Sequence, residues 1–200
     1  MEKMIIPKDL PVDQILDNLD QHGFSIIDHI YTQEYRHSLT KECISHLNQF
    51  RNAAIQNGVV SNIRSDHILW INDHFTIAQQ HIQTLNYLAE QFNRAFFLGI
   101  HDVEAHFACY NAGEFYALHR DNPQGKNGRT ISTVYYLHDE WQDGWGGELH
   151  LQDKNKQWHI ISPKPNRIAL FQSDLMHEVL QAKHQRFSIT AWLRNDHPIF

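Results

Sequence analysis

The sequence predicts an all-β core supported by helices, an α+β chain, and two observations lead to that prediction. Before residue 100, apolar residues recur at the spacing of amphipathic helices. Later, short runs rich in β-branched and aromatic residues alternate with turn clusters such as Trp145-Gly146-Gly147. Many short strands are typical of a sandwich or barrel, here of about eight strands. The strand candidates cover residues 103–110, 115–119, 129–137, 148–151, 158–161, 167–171 and 187–193.

The first half predicts three helices and one early strand. The helices cover residues 10–21, a stretch that begins near Thr32, and residues 76–96, while residues 24–30 predict the strand. Gly23 is suited to end the first helix, Thr32 to cap the second, and Asn57-Gly58 to form a turn. We expect residues 1–100 to form a support region and residues 101–200 the β-rich core, together one compact domain.

Charge and cysteine content limit the classes of partner. A net charge of -6 argues against a broad nucleic-acid or anionic-membrane surface, because both require clustered lysine and arginine. The sequence has no long apolar run, and its first ten residues lack the apolar segment of a signal peptide. The two cysteines, Cys43 and Cys109, indicate a reducing compartment. We therefore expect a soluble cytoplasmic protein with no nucleic-acid or membrane partner.

Two His-x-acid motifs are candidates for metal ligation. With sixteen histidines, about two such matches are expected by chance, and two occur. His138-Asp139-Glu140 enters a polar stretch, and we assign it to a solvated loop. In His119-Arg120-Asp121, an extended strand would direct both outer side chains to one face, with Cα atoms about 6.5 Å apart. One metal ion could therefore bind both.

A second histidine and an arginine further along the chain strengthen this interpretation. Together with His177, the pair His119 and Asp121 would form a two-histidine, one-carboxylate facial triad, whose open positions suit Fe(II) oxygenases. Arg186 precedes the last predicted strand and would share one face of it with Thr190. A guanidinium and a hydroxyl on an inward face can bind the distal carboxylate of a dicarboxylic acid. A surface arginine paired with an acidic residue is the alternative.

Other catalytic motifs are absent from the sequence. It contains no His-Glu-x-x-His motif, no Cys-x-x-Cys pair, no Gly-x-Ser-x-Gly nucleophile elbow and no glycine-rich phosphate loop.

Several motifs occur in an order that is more specific than any one of them. They are Cys109-Tyr110, Leu118-His119-Arg120-Asp121-Asn122-Pro123, Gly128-Arg129, Val134-Tyr135-Tyr136-Leu137, Trp145-Gly146-Gly147-Glu148-Leu149, Arg167-Ile168-Ala169-Leu170-Phe171, His177-Glu178-Val179 and Arg186 with the strand after it. This order resembles the prolyl 4-hydroxylases that act on hypoxia-inducible factor, and their bacterial relatives. The resemblance is dense over about residues 105–194 and thinner upstream.

The resemblance implies a fold and a catalytic site. The fold would be a double-stranded β-helix, or jelly roll, with N-terminal helices packed on it. His119, Asp121 and His177 would be the iron ligands, and Arg186 would anchor the C5 carboxylate of 2-oxoglutarate. Three further residues would bind or line the co-substrate site: Tyr136, which donates to the same carboxylate, Thr190 and Tyr110.

The resemblance also implies a substrate side of the cleft. Arg64, Asp66, Trp70 and Arg129 match positions near the substrate-gripping loop. The alternative is an ordinary salt bridge, such as Asp66 with Arg129, beside a packed tryptophan.

The activity implied is Fe(II)- and 2-oxoglutarate-dependent hydroxylation of a prolyl residue in a protein. O2 would be consumed, succinate and CO2 formed, and L-ascorbate is a candidate additional cofactor. The partner would be a protein with an exposed prolyl loop, for example a translation GTPase such as elongation factor Tu, and oxygen sensing is a candidate role. Two alternatives stay open: the same chemistry on a free amino acid or small metabolite, and a non-enzymatic jelly-roll sensor or scaffold.

Overall fold

The protein is built from three helices and eleven strands in the part of the chain that the computed structural model describes, residue 7 and residues 9–54, 62–125 and 127–196. The helices are α1 (Val12–His22), α2 (Gln33–Ser45) and α3 (Thr76–Phe96). The strands are β1 (Phe24–Ile27), β2 (Arg51–Asn52), β3 (His67–Trp70), β4 (Asp102–Tyr110), β5 (Tyr116–His119), β6 (Arg129–Tyr136), β7 (Leu149–Gln152), β8 (Trp158–Ile161), β9 (Ile168–Gln172), β10 (His177–Val179) and β11 (Arg186–Arg194).

The strands form two antiparallel sheets. The larger sheet has the order β1-β9-β6-β11-β4-β3-β2, and the smaller has the order β5-β10-β7-β8. Their facing side chains pack together: Val134 and Phe171 of the larger sheet share a buried cluster with Leu149 and Leu151 of the smaller one. Two antiparallel sheets packed in this way form the predicted jelly-roll core.

The helices begin and end where the sequence chemistry predicts. α3 covers the predicted range, and Gly23 ends α1 in the left-handed conformation with φ 80°, its N–H donating to the carbonyl of Leu19. At the start of α2, the Thr32 hydroxyl accepts a hydrogen bond from the N–H of Tyr35. No helix among the described residues combines the length and the apolar character needed to span a membrane.

A buried polar network attaches the helices to the larger sheet. The hydroxyl of Tyr31 lies 2.7 Å from Nδ1 of His81 on α3, and the hydroxyl of Tyr135 on β6 donates to Asn166 at 3.0 Å. Asn166 also donates through its side-chain amide to the carbonyl of Tyr31. Burial lowers the pKa of His81 to about 3, so its imidazole is neutral at neutral pH.

Several strand predictions need correction. β1 is shorter than the predicted range 24–30, because His29 adopts a left-handed φ of 57°. β2, β3 and β10 were not predicted; β2 and β10 have only two and three residues. The turn predicted at Asn57-Gly58 lies outside the described residues. Strands from the first hundred residues join the larger sheet, so the two predicted regions share one sheet, and their boundary stays a prediction.

The assignment of His138 to a solvated loop is wrong. His138 is buried, its ring packs 4.5 Å from that of Trp141, and burial lowers its pKa to about 3. The reason is that the chain stays attached to β11 after β6 ends: the N–H of Leu137 still donates to the carbonyl of Phe187. Only Asp139 and Glu140 are exposed, as predicted.

Candidate active site

Two neighbouring strands of the smaller sheet bring the three predicted metal ligands together. β5 and β10 are antiparallel, and His119 lies directly opposite His177. Asp121 follows the end of β5, with its carboxylate oxygens 3.6 Å from Nε2 of His119 and 3.5 Å from Nε2 of His177. The candidate ligand atoms all lie within 4.8 Å of one another, a spacing at which one metal ion could bind all three.

Backbone carbonyls fix the orientation of both imidazoles. Nδ1 of His119 lies 2.8 Å from the carbonyl oxygen of Ala117, and Nδ1 of His177 lies 3.0 Å from that of Leu175. A carbonyl only accepts, so each Nδ1 carries the proton and each Nε2 keeps its lone pair for a metal. Burial and the nearby His119 lower the pKa of His177 to about 4, which keeps this ligand neutral at neutral pH.

The surroundings of Asp121 keep its carboxylate ionised. Burial raises its pKa, but the two histidines and a hydrogen bond of 2.6 Å from the Ser132 hydroxyl outweigh burial and hold that pKa well below its usual value. Ser132 is itself 2.9 Å from the hydroxyl of Ser173. Asp121 is therefore ionised at neutral pH, the state in which a carboxylate binds metal.

The ligands line a cleft between the two sheets. Tyr110, Arg186 and Thr190 line this cleft, as expected from the sequence. Apolar side chains of both sheets, Leu149 and Phe171, form part of its wall. A mostly apolar cleft with a few convergent polar groups is typical of a small-molecule site.

Arg186 is buried in this cleft without an acidic partner. It is 1% exposed, its Nε has no hydrogen-bond partner, and it forms no ion pair with any described residue. Its guanidinium lies 4.8 Å from the ring centroid of Tyr110 and 4.9 Å from that of Tyr136. The alternative of a surface arginine is thereby excluded. A buried guanidinium without a counter-charge is costly, so the site suits an anionic ligand.

Tyr136 supplies a second polar group beside Arg186. Its hydroxyl is buried beside the Arg186 guanidinium and donates its proton to no described residue. Burial raises the pKa of Tyr136, although the charge of Arg186 opposes the shift, so the hydroxyl stays protonated and can donate. A carboxylate would satisfy both groups, and this matches what 2-oxoglutarate requires of a binding site.

The turn after Trp145 lies against the side chain of Arg186. Gly147 has a φ of 71°, and a Cβ at this position would lie 2.9 Å from Cδ of Arg186. A side chain there would displace the arginine, so this turn requires glycine.

The predicted substrate residues are only partly brought together. Arg64 lines the cleft and forms two hydrogen bonds, of 2.7 and 3.0 Å, with Asp66, which is fully buried. Arg129 pairs instead with Glu104 at 3.2 Å, so the suggested Asp66–Arg129 salt bridge is wrong. Trp70 is 46% exposed and lies outside the cleft wall.

Two residues of this region were missed by the sequence analysis. Tyr116 lines the cleft beside His119. The buried ring of His106 lies 5.2 Å from the ring of Trp70 and 5.4 Å from that of Trp192, and its Nε2 has no hydrogen-bond partner among the described residues. Alternation along β4 from Tyr110 could have placed His106 on the inward face, whereas no local pattern reveals Tyr116.

Comparisons with known proteins agree with this site. Residues 105–194 match the model of the 2OG-Fe(II) oxygenase superfamily. The chain is 31% identical to a crystallised prolyl-4-hydroxylase of Pseudomonas putida, with a TM-score of 0.86, covering 92% of this chain and 98% of that one. A prolyl hydroxylase of Trichoplax adhaerens, solved with a peptide fragment of the hypoxia-inducible factor oxygen degradation domain, is 26% identical with a TM-score of 0.86, over 92% and 89% of the two chains.

Curated relatives are longer than this chain. The hypoxia-inducible factor prolyl hydroxylase of Caenorhabditis elegans is 26% identical over 211 residues, which cover 90% of this chain and 28% of that protein. The match to a mouse prolyl hydroxylase is 30% identical and covers 66% of this chain and 59% of that protein. With the bacterial enzyme matched over nearly its whole length, the chain belongs to the 2OG-Fe(II) oxygenase superfamily and, within it, to the family of the prolyl 4-hydroxylases.

Proposed function

We propose that this protein is an Fe(II)- and 2-oxoglutarate-dependent dioxygenase that hydroxylates a prolyl residue of another protein. The observation that carries the proposal is the convergence, in one cleft, of a His-Asp-His cluster and a buried arginine that has no acidic partner. The cluster fits Fe(II) in its donor set, and the arginine fits a dicarboxylate.

In this proposal, His119, Asp121 and His177 would hold Fe(II) at the wall of the cleft. When bound, the iron and 2-oxoglutarate supply the oxidative chemistry: one oxygen atom of O2 enters the substrate C–H bond, the other enters succinate, and CO2 is released. The neutral imidazole of His177 and the ionised Asp121 need no proton transfer to bind metal at neutral pH.

Arg186 and Tyr136 would orient 2-oxoglutarate by its C5 carboxylate, with Thr190 and Tyr110 beside it. Arg186 offers parallel N–H donors and Tyr136 a neutral hydroxyl, so the carboxylate would be both charge-paired and hydrogen-bonded. Leu149 and Phe171 would exclude water from the reacting end of the cleft.

The rim of the cleft supports a protein substrate with an exposed prolyl loop. Trp70 lies outside the cleft wall but next to it: its half-exposed ring is 5.2 Å from that of His106, which is 5.4 Å from the ring of Trp192 in the wall. The Arg129 guanidinium stacks 3.6 Å from the centroid of the same Trp192 ring. Exposed tryptophan and arginine are the residues most enriched at protein contact sites. We propose a cytoplasmic partner, with a translation GTPase such as elongation factor Tu as a candidate, L-ascorbate as an additional reductant, and oxygen sensing as a candidate role.

A tryptophan substitution tests the protein-substrate part of the proposal. Trp70→Ala should raise the KM for a protein substrate by at least about tenfold, since it removes a rim contact, and should leave uncoupled 2-oxoglutarate turnover unchanged. Trp158→Ala is the matched control, because Trp158 is 43% exposed on β8, away from the cleft. Equal effects of the two substitutions would remove Trp70 from the substrate side.

Fractionated cell extract separates protein from small-molecule substrates. Succinate formation should rise with the protein fraction and not with the fraction of free amino acids and metabolites. The reverse result would favour a small-molecule oxygenase, and no 2-oxoglutarate consumption with either fraction would favour a non-enzymatic sensor.

A further inference from the structure

A bulge in β5 places an unassigned tyrosine against a candidate iron ligand. His177 of β10 pairs with His119 of β5, and Val179 of β10 pairs with Tyr116 of β5. Two steps along β10 therefore match three steps along β5, so β5 carries one extra residue. In a regular strand, Tyr116 and His119 would point to opposite faces. The bulge turns both side chains into the cleft, a common role of bulges beside active sites.

The two rings form a close parallel stack. Their centroids are 3.7 Å apart and their planes are inclined by only 16°. The other candidate histidine has a different neighbour: the ring of Phe171 lies 4.7 Å from that of His177 at 64°, which is an edge contact. Only His119 of the two is therefore supported by a flat surface.

This stack restrains a motion that the backbone hydrogen bond leaves free. The bond from Nδ1 of His119 to the Ala117 carbonyl, 2.8 Å long, fixes one direction in the ring plane. The imidazole can still tilt about that direction, and tilting would turn Nε2 away from Asp121. A flat ring against one face of the imidazole opposes the tilt, in the manner of the outer contacts that orient metal ligands.

The opposite face of Tyr116 is held in turn by Arg64. The guanidinium carbon lies 4.6 Å from the Tyr116 ring centroid, and the guanidinium is fixed by its two hydrogen bonds to the buried Asp66. Backbone pairing connects the same segments, because Ala117 donates to the carbonyl of Ile63 at 2.8 Å. The chain around Arg64 is thereby attached to the strand that carries His119.

We propose that Tyr116 is a positioning residue of the metal site: its ring fixes the tilt of the His119 imidazole, and the Arg64–Asp66 pair holds Tyr116 in place. The inference rests on the proposed function for the presence of a metal, and it adds that part of the metal affinity comes from the wall of the cleft outside the three ligands.

Cobalt(II) titration of the full chain, without 2-oxoglutarate or substrate, tests the proposal. Tyr116→Leu should weaken Co(II) binding by about tenfold or more, because outer contacts of metal ligands contribute on that scale. Tyr116→Phe keeps the flat ring and should stay within about twofold of the wild type. Leu118→Ala is the matched control, since Leu118 belongs to the same strand and is 47% exposed.

A second variant keeps the test decisive if Tyr116→Leu does not fold. Arg64→Met combined with Asp66→Asn removes the clamp without leaving a buried unpaired charge. Introduced into the wild-type chain, this double substitution should weaken Co(II) binding by several-fold. Introduced into the Tyr116→Leu variant, it should weaken Co(II) binding by much less, because the loss of the clamp and the loss of the Tyr116 ring interrupt the same stack. Thermal unfolding of the metal-free variants identifies any that fail to fold.

Unchanged Co(II) affinity in a folded Tyr116→Leu variant, or in the double variant if the first is unfolded, would overturn the proposal. So would equal losses in Tyr116→Phe and Tyr116→Leu, since the hydroxyl would then be the important group. Because the titration contains no substrate, either outcome leaves prolyl hydroxylation untouched. A wrong proposed function would instead show normal Co(II) binding without substrate-dependent succinate formation.

Discussion

Individual residues of the cleft are prepared for ligands that carry charges opposite to their own. Asp121 is held ionised beside the neutral imidazole of His177, and Arg186 is buried without an ion-pair partner among the described residues. Each arrangement would be unfavourable in an empty protein core. The two groups make sense together if one binds a metal cation and the other a dicarboxylate.

Loss of any one metal ligand should abolish activity. His119→Ala, Asp121→Ala and His177→Ala each remove one of three protein ligands, and the purified chain should need added Fe(II) for full activity. His150→Ala is the control, because His150 lies opposite Glu178 in the same sheet and pairs with it at 2.8 Å. Wild-type 2-oxoglutarate turnover in a ligand variant would remove that residue from the metal site.

Removal of Arg186 should affect the co-substrate and not the metal. Deleting one partner of a buried charge pair costs roughly 3–5 kcal/mol, so Arg186→Ala should raise the KM for 2-oxoglutarate by about two to three orders of magnitude. Tyr136→Phe removes one neutral donor to a charged group, and its effect should be smaller, about 1.5–3 kcal/mol. An unchanged KM in Arg186→Ala, measured by succinate formation with Co(II) affinity as the control, would place the anchor elsewhere.

Among the residues of the cleft, the sequence indicated the metal-ligand and arginine candidates better than the side chains that pack against them. The sequence singled out His119, Asp121, His177 and Arg186 because ligand chemistry restricts the residue types at fixed positions of a motif, and the structure brings all four to one cleft. Tyr116 was not found, because its place in the cleft depends on a bulge that alternation along a strand does not predict.

At the scale of elements, the segment after β6 makes more ring-packing contacts than its polar sequence indicates. His138 lies buried against Trp141, and Trp141 is 5.2 Å from Trp145, whose ring stacks on that of His184. These rings pack close to the turn after Trp145. The segment therefore packs around the turn at Gly147, which lies against the side chain of Arg186.

His138→Ala should destabilise the protein. It removes a buried ring packed on Trp141, and the free energy of unfolding should fall by about 1–3 kcal/mol, whereas exposed Glu140→Ala should change it by no more than about 0.5 kcal/mol. Urea denaturation of the two variants measures the difference. Equal stability of the two would mean that the contact with Trp141 contributes nothing.

The long helix α3 could be predicted from the sequence, whereas the very short strand β10 could not. α3 has several turns of consistent apolar spacing and matches its predicted range. β10, which carries His177, has three residues and shows no strand pattern of its own. It forms because β5 and β7 both pair with it, an interaction between distant parts of the chain.

Across the whole molecule, buried neutral histidines connect stability to pH. Burial lowers the pKa values of His81, His106 and His138 to about 3, 4 and 3, below the value of about 6.5 for a histidine in an unfolded chain. Between these values the unfolded chain binds more protons than the folded one. The free energy of unfolding should therefore fall as the pH decreases from about 6.5 toward 4.

His81→Gln should reduce this pH dependence. Glutamine keeps a polar partner for the Tyr31 hydroxyl but does not titrate, so the variant should lose about 1–2 kcal/mol less stability than the wild type between pH 7 and 5. Urea denaturation of metal-free protein at the two pH values measures this. Identical losses in both proteins would show that His81 does not contribute to the pH dependence.

The most direct test of the proposed function is mass spectrometry of host-cell proteins. Cells with the wild-type protein are compared with cells that carry the Asp121→Ala variant. We expect at least one protein in which a prolyl residue gains the mass of one oxygen atom only with the wild type, and in which the purified enzyme reproduces that change when Fe(II) and 2-oxoglutarate are supplied. If no prolyl residue gains oxygen, while free amino acids or small metabolites do, the assignment as a protein prolyl hydroxylase is contradicted.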